Sequence, residues 1–158
     1  MSQKFCVIAS WGRMILFVLL AVCGASSGMS QMPSPMIVQD DRGGYVGQRA
    51  IEIATLNAQQ TMVELRGRIC YSSCTMYLGA NRLCISPATT FGFHGPSQNG
   101  RTLPAAQFDH WSNVMAAHYN KPLRDWFMRE GRYRISGYFK ISGGQLIEMG
   151  YRPCQERS

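Results

Sequence analysis

A chain of 158 residues is the length of one domain, and 46% apolar with 16% charged residues is the make-up of a folded core rather than of a disordered chain. Sixteen Lys and Arg against nine Asp and Glu give a net charge of +7, and thirteen of the sixteen bases are arginine. No period recurs and one apolar run stands out, which argues against a repeat protein, a collagen or a polytopic membrane protein.

That run comes first in the chain. Lys4 and Arg13 precede Met14 to Ala25, twelve uncharged and mainly apolar residues, and Gly24-Ala-Ser-Ser-Gly28 supplies small residues for cleavage. A basic start, a short apolar stretch and a small-residue exit predict a secretory signal peptide over 1–27, cleaved after Ala25 or Ser27. Twelve helical residues reach about 18 Å, against a hydrocarbon core of about 30 Å. An uncleaved anchor that recruits Cys6-Val-Ile-Ala9 is the alternative, and Leu20-Ala-Val-Cys23 resembles a lipoprotein box with Val22 where a small residue is wanted. The protein is therefore expected to be exported, periplasmic or secreted, or else held at the membrane by residues 14–25. Removal of Lys4 and Arg13 lowers the net charge from +7 to +5.

Export changes how the cysteines read. Without Cys6 and Cys23, four remain: Cys70, Cys74, Cys84 and Cys154. An even number in an oxidising compartment points to disulfides, and composition leaves all three pairings open. The rival is a four-cysteine zinc site, for which Cys70-x3-Cys74 offers one loose half and nothing offers the other. No metal is expected.

Residues 28–35, with Gln31-Met-Pro-Ser-Pro35, read as a linker. Met36-Ile-Val-Gln39 is a brief buried strand ending in Asp40-Asp-Arg-Gly-Gly44. Val46, Ala50, Ile53 and Ala54 recur at helical spacing, so the pattern predicts a helix over about 45–59. Val63 and Leu65 alternate with Glu64 and Arg66, which predicts a strand over Met62–Gly67. Cys70 to Ala80 reads as a small-residue turn entering a short apolar helix. Leu83–Ser86 and Thr90–His94 are two further strands around Pro87. Strand and helix alternating over short joints predict an α/β fold with a parallel sheet.

Beyond Pro96 the texture changes. Ser97-Gln-Asn-Gly-Arg101 reads as a polar loop. Ala105–Tyr119 and Pro122–Glu130 read as helices carrying Phe108, Trp111, Met115, Trp126 and Phe127 on apolar faces. Those faces suit core or subunit-interface packing before a peptide groove. Gln145–Met149 is a last helix and Gly150–Cys154 a closing strand.

In an open parallel sheet, ligands bind at the carboxyl ends of the strands. Gly43-Gly44, Ser72-Ser73 and His94 all fall at such ends. A serine at a tight strand-to-helix turn exposes its hydroxyl above backbone N–H groups able to receive an oxyanion. A Gly-Gly lets another N–H approach with no Cβ in the way. A histidine nearby can remove the serine proton and later return it to a leaving group. Taken singly, these are an N-cap, a turn and a structural histidine; together they point to nucleophilic catalysis.

That arrangement resembles the Clp protease proteolytic subunit and its relatives in the crotonase-like superfold. Phe93-His-Gly-Pro96 looks like the family's His-x-Pro, and Cys70-Tyr-Ser-Ser-Cys74 like the Cys-x-Ser-x-Cys turn of exported members. Ile141-Ser-Gly-Gly-Gln-Leu-Ile-Glu-Met-Gly150 is similar to the closing helix motif, and the segment 97–134 to the helical handle insertion. The likeness spans residues 36–154, with Gly44 lying 28 residues before Ser72 and His94 lying 22 after it.

The resemblance implies a parallel ββα-type core, shortened at its N-terminal side, and an exported serine hydrolase, a peptidase. It assigns Ser72 as nucleophile, with Ser73 as the alternative, and His94 as general base. It gives the N–H groups of Gly44 and Ser73 to the oxyanion hole, and it requires no cofactor. It also implies that the closing strand lies beside Leu83–Ser86, which would bring Cys154 to Cys84 and leave Cys70 for Cys74. Expected partners are a polypeptide substrate or protein partner, and further copies of the chain through the handle.

Two departures accompany it. The family's acid position falls on Tyr138, leaving Asp109, Asp125, Glu130 and Glu148 as the candidate carboxylates. The strands that usually precede the Gly-Gly are replaced by the targeting segment, so the sheet is shortened or a partner covers its edge. The alternative function is therefore a catalytically inactive relative serving as an envelope binding or assembly module. The arginines are scattered and no nucleic-acid motif joins them, so nucleic acid is not an expected partner.

Overall fold

Short alternating segments set the strands of the computed structural model, which describes residues 33–156. The signal segment, Cys6, Cys23 and the first part of the linker lie outside the described residues. Strand β1 (Met36–Val38) leads through helix α1 (Val46–Ala58) into β2 (Val63–Leu65), the βαβ unit that the helical spacing predicts. Ile53 and Leu56 bury the inner face of α1, while Val63 and Leu65 point inward from β2. With β4 (Leu83–Ile85) these strands make an all-parallel sheet in the order β1-β2-β4, with Val38 beside Leu65 and Leu65 beside Ile85.

The expected single sheet is in fact two. Ile69–Tyr71 forms β3, pairs in parallel with β5 (Thr90–Phe93), and β5 pairs in antiparallel with β8 (Phe139–Ser142). Neither β3 nor β8 stands out as a strand in the sequence. Cys70-Tyr-Ser-Ser looks like a turn because only three residues are extended before the chain bends. What holds it straight is pairing with β5, together with the Asp40 carboxylate, which accepts from the N–H groups of Arg68 and Ile69 at 2.7 and 3.2 Å. Phe139–Ser142 does alternate half-buried and exposed residues, but it is short and abuts the helix motif.

Two further corrections are local. The polar loop at 97–101 is a hairpin of β6 (Ser97–Gln98) and β7 (Arg101–Thr102). The closing segment makes one bridge, Pro153 beside Ile85, rather than a full strand, although Cys154 N–H donates to the Ile85 carbonyl at 2.9 Å.

The helices of the segment expected to be the handle are α2 (Ala105–Ala116) and α3 (Lys121–Arg129), and α4 (Gly143–Glu148) follows β8. Asn120 caps α3 by accepting from Leu123 N–H, and Ser142 with Gln145 forms a capping box on α4. Met115, Leu123 and Phe127 are buried with Phe91, Phe93 and Tyr77, so this part of the apolar stripe belongs to the chain's own core, whereas Phe108 and Trp111 are half-buried outside it. Trp126 stacks edge-on against Phe93 and Phe139.

Disulfides join Cys70 to Cys74 and Cys84 to Cys154, with Cα separations of 5.3 and 4.7 Å. This is the pairing that the resemblance implies, and two disulfides are consistent with an exported protein. Among the described residues no helix is long and apolar enough to cross a membrane.

Candidate active site

Parallel pairing places Tyr71 of β3 beside Gly92 of β5. Ser72 follows the first and Phe93-His94 the second, so both residues lie just beyond the carboxyl ends of neighbouring strands. Ser72 is the third strand's exit and His94 the fifth's, and both strands belong to the mixed sheet, whereas the Gly-Gly turn follows β1 of the other sheet.

Ser72 opens a 3₁₀ helix (Ser72–Gly79) with φ at +57°, the left-handed region that side chains other than glycine avoid. Such a conformation costs on the order of 1–3 kcal/mol and persists only where its surroundings fix it. Several groups do so here. Thr75 Oγ1 donates to the Ser72 carbonyl at 2.7 Å, and the buried Tyr119 hydroxyl lies 2.7 Å from the same Oγ1. The Cys70–Cys74 disulfide brackets the turn. Gly43 lies against it: a Cβ there would fall 2.5 Å from Ser72 Cβ and 3.0 Å from Ser72 Oγ. Gly43 also has φ at +94°, so this glycine is required twice over. Gly44 is exposed with open space around its Cα, so it is the first glycine, not the second, that sterics demand.

The two serines differ in access. Ser72 is half-buried, whereas Ser73 is fully buried and its Oγ has no hydrogen-bond partner among the described residues. Only the Ser72 hydroxyl is open to a reactant.

His94 Nδ1 lies 2.7 Å from the Gly95 carbonyl oxygen. A carbonyl only accepts, so the neutral ring carries its proton on Nδ1 and keeps the Nε2 lone pair for another donor. Burial lowers the His94 pKa below the ordinary 6.5, opposed by the bond to Gly95. The Tyr138 ring meets the imidazole edge-on at 5.3 Å and packs on Tyr71 at 4.5 Å. Gly92 makes room for that stack, since a Cβ there would come 2.5 Å from the Tyr71 ring. No hydrogen bond joins Ser72 to His94 among the described residues.

The candidate acids are engaged elsewhere or stand in solvent. Asp109 pairs with Arg132 at 2.9 Å and Asp125 with Lys121 at 2.6 Å, while Glu130 and Glu148 are exposed. Among the described residues no three His, Cys, Asp or Glu side chains gather to hold a metal. A cleft of about 810 Å³ runs from Gly44 and Tyr45 past Pro96 and Gln98 to Leu103 and Trp111, with no charged residue in its walls.

Sequence reasoning picked out Ser72, His94 and the Gly-Gly but missed Asp41, Thr75, Gly95 and Tyr119, the groups that hold them. Asp two residues before Gly43 is a legible turn signature, and Thr three residues after Ser72 is another. Nothing local marks Tyr119, which arrives from the handle. No protein-family model and no curated protein matches the chain.

Proposed function

We propose that the protein is an exported serine hydrolase, a peptidase with a crotonase-like or Clp-protease-like core, in which Ser72 and His94 work as a dyad. The observation that carries this reading is Ser72 itself. It is a half-buried serine held in a left-handed turn at a strand end, packed on a glycine where a Cβ would clash. Asp40, Gln60 and Asn99 share the left-handed φ, but among these four Ser72 alone pairs it with a hydroxyl at a strand end beside a histidine-bearing strand.

In the proposed mechanism Ser72 Oγ attacks the scissile carbonyl carbon while its proton passes to His94 Nε2. The developing oxyanion is received by the N–H groups of Gly44 and Ser73. His94 then protonates the leaving amine, the carbon–nitrogen bond breaks, and an acyl group remains on Ser72. Water attacks that ester, giving its proton to His94; the bond from the carbonyl carbon to Ser72 Oγ breaks, His94 returns the proton to Oγ, and the carboxylic acid product leaves. The Gly95 carbonyl does for the imidazole what a triad carboxylate does in fixing the tautomer. Being neutral, it adds less stabilisation to the imidazolium. The Ser72–His94 hydrogen bond is expected to tighten on substrate binding.

The test is cleavage of an unfolded polypeptide by the disulfide-intact protein. Ser72→Ala and His94→Ala should each lower kcat at least about 10³-fold. Unchanged cleavage by Ser72→Ala overturns the assignment. A second reading, a non-catalytic envelope binding module, is favoured by Tyr138 in the acid's place. It predicts no cleavage by any of the three proteins.

A further inference from the structure

We propose that Asp41 is the positioning residue of the oxyanion turn. Its carboxylate, locked by Arg49, takes the Gly43 N–H and so leaves the Gly44 N–H as the donor presented to a substrate carbonyl. The proposal rests on the reading of Ser72 as nucleophile.

A Gly-Gly turn carries two N–H groups and has little to stop it rotating, because neither residue has a side chain. Something must choose which donor faces the reaction. Gly43 N–H donates to Asp41 Oδ1 at 2.6 Å, while among the described residues nothing accepts from the Gly44 N–H. An Asx turn alone would be a weak restraint, since an aspartate side chain can rotate away. Here Oδ2, the other oxygen, accepts from Arg49 Nη2 at 2.7 Å.

Arg49 is itself fixed, with only 13% of its side chain exposed. Its Nη1 donates to Glu52 at 2.9 Å and to the Tyr77 hydroxyl, and its guanidinium lies 4.3 Å above the Tyr77 ring. The Tyr77 hydroxyl donates to Glu52 Oε1 at 2.6 Å, which closes the ring of contacts. Tyr77 is buried in the 3₁₀ helix that Ser72 opens. The Asp41 main chain is tied to the same region, since its carbonyl accepts from Tyr71 N–H at 2.9 Å. One aspartate thus indexes the Gly-Gly turn against the strand that ends at the nucleophile, through charge-assisted bonds that hold geometry well.

The experiment combines kinetics with amide exchange on the disulfide-intact chain. In wild type the Gly43 amide should exchange slowly and the Gly44 amide fast. Asp41→Ala should lower kcat and the rate of fluorophosphonate labelling about 10²-fold, with KM little changed, and should lose the Gly43 protection. Asp41→Asn keeps an acceptor for Gly43 N–H and should recover most of the rate. Arg49→Lys keeps the charge, loses the fork and should fall between them.

A folded Asp41→Ala protein with wild-type kcat overturns the proposal, as does a wild-type Gly43 amide exchanging as fast as Gly44. If Asp41→Ala does not fold, the Asn variant and the wild-type amides decide. Wild type that reacts nowhere with the fluorophosphonate overturns the hydrolase reading instead, while slow Gly43 exchange in it still supports the hold of Asp41 on the turn.

Discussion

At Ser72 a left-handed φ of +57° is combined with a partly open hydroxyl, while the next serine has an ordinary backbone and a sealed one. A buried hydroxyl without a partner has lost its water and gained nothing in return. Ser73→Ala should therefore melt no lower than wild type by calorimetry, and a fall of several degrees would show that the hydroxyl is satisfied after all. His94 carries a second prediction. Burial disfavours its charged form, so its folded pKa lies below the unfolded value of about 6.5. A general base must be neutral, so peptidase activity should rise with pH through a kinetic pKa below that value. His118 is lowered by burial as well. For both, the unfolded chain binds protons more readily, so their contribution to stability is full above about 6.5 and falls as pH drops towards the folded values. A kinetic pKa above 7 would contradict the buried, carbonyl-oriented imidazole.

Among the elements, the turn after β1 divides two adjacent glycines that look equivalent in sequence. Gly43→Ala would place a Cβ at φ +94° and 2.5 Å from Ser72 Cβ, and should destabilise by more than about 1 kcal/mol in urea unfolding. Gly44→Ala meets nothing within 4 Å and should leave stability close to wild type. Equal losses at both positions would contradict the described packing. The residues of the proposed site were legible because strand ends, Gly-Gly pairs and serine turns leave local marks. Helix α1 was legible too, since Val46, Ala50 and Ile53 repeat at its period. Strand β3 was not. Three extended residues carry no period, and their state is set by Phe91 and Gly92 across the sheet, about twenty residues further on. The same holds for Tyr119, whose hold on Thr75 spans 44 residues and follows from how the handle docks.

Over the whole molecule, the two sheets and the handle share one core, and the Cys84–Cys154 bond closes a 70-residue separation around most of it. A cross-link over so long a loop restricts the unfolded chain strongly. Replacing both cysteines by serine should cost about 2–5 kcal/mol in denaturant unfolding, whereas an unchanged midpoint would mean the bond adds little beyond the packing. The alternation of strand and helix made the α/β class readable. The split into two sheets was not, because it depends on where the chain leaves β2 for the second sheet, and no residue type marks that point. That residue 138 is a tyrosine and not a carboxylate was readable; that the Gly95 backbone carbonyl accepts from His94 Nδ1 was not, since every residue has a carbonyl.

The central claim is that Ser72 is a nucleophile activated by His94. Its most direct test is treatment of the oxidised protein with a fluorophosphonate, followed by proteolytic digestion and mass spectrometry of the adduct. The account predicts one phosphonylated residue, Ser72, and an adduct that forms far more slowly in His94→Ala. Labelling at Ser73 or another hydroxyl, or none while the fold is intact, would contradict it.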